Sequence, residues 1–93
     1  MFSWDARKAL KNYQKHGVSF EEAATVFSDP EGLDWEDFEH SLTEQRSTRL
    51  GFSISGRILF VVYAIRRSKD DKETIRIISA RQATRKERKA YAG

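Results

Sequence analysis

Along residues 6–16 the apolar positions recur with the spacing of one helix face. Ala6, Ala9, Leu10 and Tyr13 fall at i, i+3, i+4 and i+7, while Lys8, Lys11 and Lys15 lie off that stripe. Asp5 is placed to cap the first turn, and Gly17 is the residue expected where the helix stops in a left-handed conformation. A second helix follows with an expected capping box, Ser19 with Glu22 three residues on. Phe20, Ala23, Ala24 and Phe27 form its apolar face, and Asp29-Pro30-Glu31-Gly32 reads as the turn that ends it. Before the first helix, Phe2-Ser3-Trp4 alternates like a strand but is very short.

From residue 33 the period changes from helical to alternating. Residues 33–38 set Leu33, Trp35 and, less tidily, Phe38 among acids, as an edge strand does to discourage pairing with other molecules. Three further strands are predicted at 44–53, 57–66 and 73–80, joined by the hairpin turn Ser53-Ile54-Ser55-Gly56 and a polar turn at 68–72. The middle strand is apolar at nearly every position, which marks it as central and covered on both faces. Strict alternation through Ile75-Arg76-Ile77-Ile78-Ser79-Ala80 would put Ile75, Ile77 and Ser79 on one face. Arg76, Ile78 and Ala80 would then share the other. Thr84 with Glu87 makes a capping box for a last helix whose inward side is Glu87, Ala90 and Tyr91. The expected fold is α+β: two N-terminal helices, an antiparallel meander of about four strands and a C-terminal basic helix, all in one domain of 93 residues.

Charge changes this picture more than overall composition does. The net charge is only +3, but residues 29–44 hold seven acids and no Lys or Arg. Residues 76–93 hold six cations, Arg76, Arg81, Arg85, Lys86, Arg88 and Lys89, against the single acid Glu87. Such asymmetry suggests an anionic partner for the basic end, either nucleic acid or an acidic protein. The chain has no cysteine, which removes disulfides and thiolate metal sites and fits a reducing compartment. No apolar run approaches the ~20 residues of a membrane span, and the N-terminus does not read as a signal peptide. A soluble cytoplasmic protein without membrane contact is the expectation.

The residues present can support RNA cleavage without a metal. Such cleavage needs a base for the 2′-OH proton, cations on the pentavalent phosphate and a proton donor for the 5′-oxygen. Arginine suits the phosphate because its planar fork stays charged and binds two oxygens at once. Arg76 and Arg81 are the candidates for that role, with Arg49, Arg57, Arg85, Arg88 and Lys89 as further RNA-binding cations. His16 ends the first helix, where the dipole favours a cation, and is a candidate acid or base, with Glu22, Glu87 and Tyr91 behind it. Each has a plainer reading. His16 can be a helix end packed beside Tyr13, Arg76 a strand arginine paired with Glu73, Arg81 a loop arginine, Glu87 a cap and the basic helix a solvated face. Metal binding is poorly supported. His16 and His40 are the only histidines and lack helical pairing, and the acids near His40 lack the spacing of a calcium loop. No cofactor motif is present.

Several segments taken together resemble the BrnT family. They are Phe2-x-Trp4-Asp5; Lys15-His16-Gly17-Val18-Ser19-Phe20-Glu21-Glu22-Ala23; Val26-Phe27-x-Asp29-Pro30; His40; Glu44-x-Arg46; Gly51; Gly56-Arg57 with its apolar strand; Ile75-Arg76-Ile77-Ile78-Ser79-Ala80-Arg81; and Glu87-Arg88 with Tyr91. The resemblance covers nearly the whole chain in order. It implies a toxin of a bacterial type II toxin–antitoxin system: a ribosome- and metal-independent endoribonuclease of RelE-like fold that acts on RNA. The implied partner is a BrnA-type ribbon-helix-helix antitoxin, in a heterotetramer built through the antitoxin dimer. Operator DNA would be reached only through that antitoxin.

The alternative from the residues themselves is a non-catalytic basic module that holds nucleic acid or protein. A third reading has the acidic stretch 29–44 mimicking nucleic acid or shielding the basic face.

Overall fold

The computed structural model describes residues 1–37, 45–67 and 69–93. In chain order the elements are β1 (Phe2–Ser3), α1 (Ala6–His16), α2 (Phe20–Thr25) continued by a 3-10 turn at Val26–Ser28, β2 (Leu33–Asp37), β3 (Arg46–Phe52), β4 (Ile58–Arg67), β5 (Glu73–Gln82) and α3 (Arg85–Ala92). The strands form one five-stranded sheet in the order β1-β5-β4-β3-β2.

The helix signals act where the sequence puts them. Asp5 accepts the Lys8 amide at 3.0 Å, and Gly17 closes α1 at φ 69°. Thr84 and Glu87 form the full reciprocal box on α3. At α2 only half of the expected box exists: Ser19 Oγ accepts the Glu22 amide at 3.0 Å, but the Glu22 carboxylate turns away toward Ser53 and Arg57 of the β3–β4 hairpin. The β3–β4 hairpin closes at Ser53–Gly56 as expected, with the Ser53 amide donating to the Arg57 carbonyl at 2.7 Å and Gly56 at φ 82°. Phe38, Glu39, His40 and Glu44, with the predicted starts and ends of strand that fall on them, lie outside the described residues.

Three expectations need correction. The sheet is mixed rather than an antiparallel meander of four strands, because Phe2–Ser3 pairs parallel with Ile75–Arg76, pinned by the Ile75 amide on the Met1 carbonyl at 2.8 Å. A strand of two residues carries no periodicity, so only its distant partner defines it. The α1 stripe is also only in part the buried face: Ala9 packs against the core, but Leu10 and Tyr13 remain 59% and 56% exposed, whereas Asn12 is buried. The Asn12 amide nitrogen donates to the Val18 and Ala80 carbonyls at 3.0 and 2.8 Å, and its oxygen accepts the Ala80 amide at 3.1 Å. One polar side chain thus satisfies backbone groups that the helix would otherwise leave unpaired.

The third correction concerns β5. The β4–β5 register slips between Val62 and Tyr63, so that Val62 pairs with Ser79 while Tyr63 pairs with Ile77. The extra residue, Ile78, is a β-bulge, and it reverses the alternation beyond it. Ile77 and Ala80 therefore share the helix-side core with Val18, Phe20, Ala23, Val26, Leu59 and Val61. Arg76 does not share its face with Ala80, as strict alternation predicts. It shares it with Ser79 and Arg81.

Candidate nucleic-acid interface

The bulge brings Arg76 and Arg81 to the same side of the sheet, the side opposite α1 and α2. Pairing register lays that face out as rows across four strands. Arg81, Phe60, Leu50 and Leu33 form one row, and Ser79, Val62, Thr48 and Trp35 form the next. Arg76, Ala64, Arg46 and Asp37 form a third, with Arg66 and Thr74 beyond. Arginines thus stand at both ends of a strip whose middle is small or apolar. Strand spacing puts the Cα atoms of Arg46 and Arg76 roughly 10 Å apart.

Arg81 is fixed on this face by two contacts. Its guanidinium carbon lies 4.0 Å from the centroid of the Phe60 ring, a cation–π arrangement. Its Nη1 and Nη2 donate to Glu87 Oε1 and Oε2 at 2.8 and 2.9 Å, the two-oxygen geometry with which arginine also grips phosphate. Arg81 holds the Glu87 carboxyl below the usual range, and Glu87 in turn raises the Arg81 pKa. Glu87 Oε1 also accepts the Thr84 amide at 2.8 Å, so one carboxylate caps α3 and fastens it to β5. The Arg76 guanidinium makes no hydrogen bond or ion pair with a described residue. The Lys8 amide holds the Asp5 carboxyl low, and Arg76 adds a smaller attraction. Glu73, the acid expected to pair with Arg76, binds Arg67 at 2.8 Å instead.

The remaining candidates lie elsewhere. Glu22 is on the helix side, bound to Arg57 through both carboxylate oxygens and to Ser53 Oγ at 2.7 Å. Arg57 lowers the Glu22 pKa, with Ser53 assisting. Arg49 faces the same side as Arg57. Its Nε donates to the Val26 carbonyl at 2.8 Å, its Nη2 to the Asp29 carbonyl at 2.6 Å, and it pairs with Asp34. Its guanidinium occupies the space that a Cβ on Gly32 would need. Both arginines therefore tie the helix layer to the hairpin and to the turn before β2. His16 is half-buried at the end of α1, and its imidazole makes no hydrogen bond with a described residue. Tyr91 stacks on Phe52 and donates to Asp29 Oδ2 at 2.6 Å; that bond raises the phenol to about 12. Arg85, Arg88 and Lys89 are exposed on α3, with Arg88 Nη1 also donating to the Ala83 carbonyl at 2.9 Å. Among the described residues no group of three His, Cys, Asp or Glu could hold a metal ion.

Residues 4–87 match the family model described as ribonuclease toxin, BrnT, of type II toxin–antitoxin system. The chain belongs to the BrnT family. Its fold is similar to that of the Brucella abortus ribonuclease toxin BrnT, known at 1.1 Å resolution, with a TM-score of 0.67 and 22% sequence identity over 91% of this chain and 99% of that one. No curated protein matches the chain.

In this BrnT-family chain the residues singled out by chemistry fall into two groups separated by the sheet. Arg76, Arg81 and Glu87 stand on the open side, the one without α1 and α2, where Thr48, Leu50 and Ala64 are nonetheless buried. His16, Glu22, Arg49 and Arg57 belong to the helix side, and Tyr91 reaches round the end of the sheet to Asp29. The sequence reading missed Arg46, Trp35 and Phe60 as members of the open face. Their signal was present in the alternation of β2, β3 and β4, but only the register could bring the three strands into common rows.

Proposed function

We propose that this protein cleaves RNA endonucleolytically and without a metal ion, as the toxin of a type II pair, and that it does so on the open face of the sheet. The reading is carried by the placement of Arg76 and Arg81 on one face, a pair of cations suited to a phosphate and its neighbour. In the proposed reaction the 2′-OH loses its proton and O2′ attacks phosphorus. The P–O5′ bond then breaks and O5′ gains a proton, leaving a 2′,3′-cyclic phosphate and a 5′-hydroxyl. The arginines stabilise the charge that builds on the phosphoryl oxygens. Of the candidate bases, Glu87 is the one on that face among the described residues. A phosphate that engages the Arg81 fork releases Glu87 from it and makes the carboxylate more basic.

The same reading includes a fold of the RelE type working as a single domain in the cytoplasm. Translation and growth would be inhibited, and a BrnA-like ribbon-helix-helix antitoxin would neutralise the toxin in a heterotetramer. The division of the candidate groups between two faces favours one alternative, a basic module that binds RNA without cutting it. Incubation of RNA with the purified protein in EDTA separates the two. Cleavage that survives EDTA, is lost in Arg81→Ala and Glu87→Gln, and leaves cyclic phosphate ends is the expected result. Gln keeps an acceptor for the Thr84 amide, so Glu87→Gln preserves the helix cap. Salt-sensitive binding with intact RNA would establish the module instead.

A further inference from the structure

We infer that Trp35 is a stacking platform for an unpaired nucleobase of the RNA held on this face; the inference rests on the RNA reading above. Trp35 is 44% exposed although it lies on the same face as the buried Thr48 and Leu50. From β2 its indole reaches diagonally across β3 to Phe60 on β4, with ring centroids 5.9 Å apart and planes at 64°. Phe60 in turn carries the Arg81 guanidinium at 4.0 Å. The three side chains make a continuous diagonal line, Trp35–Phe60–Arg81, that runs from an apolar surface to the guanidinium that Glu87 holds. Phe60 is partly buried and the indole is exposed, so the larger accessible aromatic surface of that line is the indole.

An indole kept this exposed at a sheet edge has apolar area that folding does not bury. Charge on the same face identifies what covers it. Arg81 stands on one side of Trp35, in the row of Phe60 and Leu50, and Arg46 and Arg76 stand on the other, in a row that also holds the single acid Asp37. An aromatic face flanked by arginines matches a single strand, whose phosphates need cations and whose splayed bases need a flat apolar surface. A duplex keeps its bases stacked on one another and offers none to an indole.

The test uses a single-stranded 2′-O-methyl RNA oligonucleotide, which lacks the free 2′-OH and stays intact. Affinity is followed by fluorescence anisotropy of a labelled strand, and stacking by quenching of tryptophan emission. The chain has two tryptophans. Trp4 is packed against Phe20 in the helix-side core, so comparison of the parent with Trp35→Phe isolates the signal of Trp35. The expected result is quenching in the parent that disappears in Trp35→Phe while most of the affinity remains. Trp35→Ala should weaken binding by roughly 5- to 150-fold. Binding without quenching, or unchanged affinity in Trp35→Ala, overturns the stacking role and leaves the RNA reading intact; Trp35 is then a packing or protein-contact residue. Absence of binding by the parent overturns both.

Discussion

Glu22 shows how a residue's chemistry is decided by its neighbour. Its position three residues after Ser19 marks it as a helix cap, and its carboxyl marks it as a candidate base. Arg57, 35 residues away, takes both oxygens and leaves neither role. The pair is largely withdrawn from solvent, with side-chain exposures of 11% for Glu22 and 31% for Arg57. Glu22→Gln should therefore cost about 1.5–3 kcal/mol of stability at neutral pH, as loss of a charge-assisted bond does, measured by urea unfolding. The same pair sets a pH dependence. The folded-state pKa of Glu22 is lowered, so its contribution is present above the unfolded carboxyl value of about 4.3 and is lost as pH falls through the lower folded value. In acid the gap between parent and Glu22→Gln should close; a constant gap down to pH 2 would contradict this account. Arg49 makes the same point. Its charge and its place near the hairpin suited RNA, but its donors are occupied by Val26, Asp29 and Asp34.

Among the elements, α1 and β5 matter most to the site. Caps and an apolar period announced α1, but the face it buries is set by Asn12, a polar residue that lies off that stripe. Removing the Asn12 side chain leaves the buried amide and carbonyl of Ala80 without their side-chain partner just beyond the bulge. Asn12→Ala should cost roughly 2–4 kcal/mol, since buried polar groups left unpaired lose about 1–3 kcal/mol each. Urea unfolding checks the loss of stability, and hydrogen exchange at Ala80 checks its origin. Faster exchange confined to β1 would point to a different origin. β5 was legible as a strand from its sequence, yet the direction of its side chains was not. A single unpaired residue, Ile78, turns Arg81 to the side of Arg76 and sends Ala80 into the core. Nothing in the local run distinguishes that bulge from strict alternation, because both place apolar residues on either face.

Over the whole molecule, the asymmetry of charge along the chain becomes a partial asymmetry in space. The acids of β2 divide by register: Asp34 and Glu36 face the helix layer, where Asp34 meets Arg49 and Tyr63, and Asp37 faces the open side. The acidic stretch is therefore partly structural, and its expected role as a shield applies to the open face only through Asp37 among the described residues. The open side carries Arg46, Arg66, Arg76 and Arg81, and α3 adds exposed cations at its end. Binding of single-stranded RNA should weaken linearly in log–log plots against salt, by about 0.7 per phosphate neutralised. Arg76→Ala and Arg81→Ala should each make that slope shallower by about the same amount, whereas Lys11→Ala, on α1, should leave it unchanged. Equal slopes for all three would place the RNA elsewhere on the surface.

Local sequence was enough for the helices and most of their caps, four of the five strands, the hairpin, the α+β class and the family. All of these are written in local periods, turn residues and short motifs, which act over a few neighbouring positions. Tertiary structure alone decided the parallel β1, the bulge at Ile78, the buried side of α1 and the partners of Glu22, Arg49 and Arg57. Each depends on contacts between residues far apart in the chain, where register and packing choose among local alternatives of similar energy. The division of the candidate residues between two faces belongs to that second kind, and with it the choice of which arginines can meet RNA.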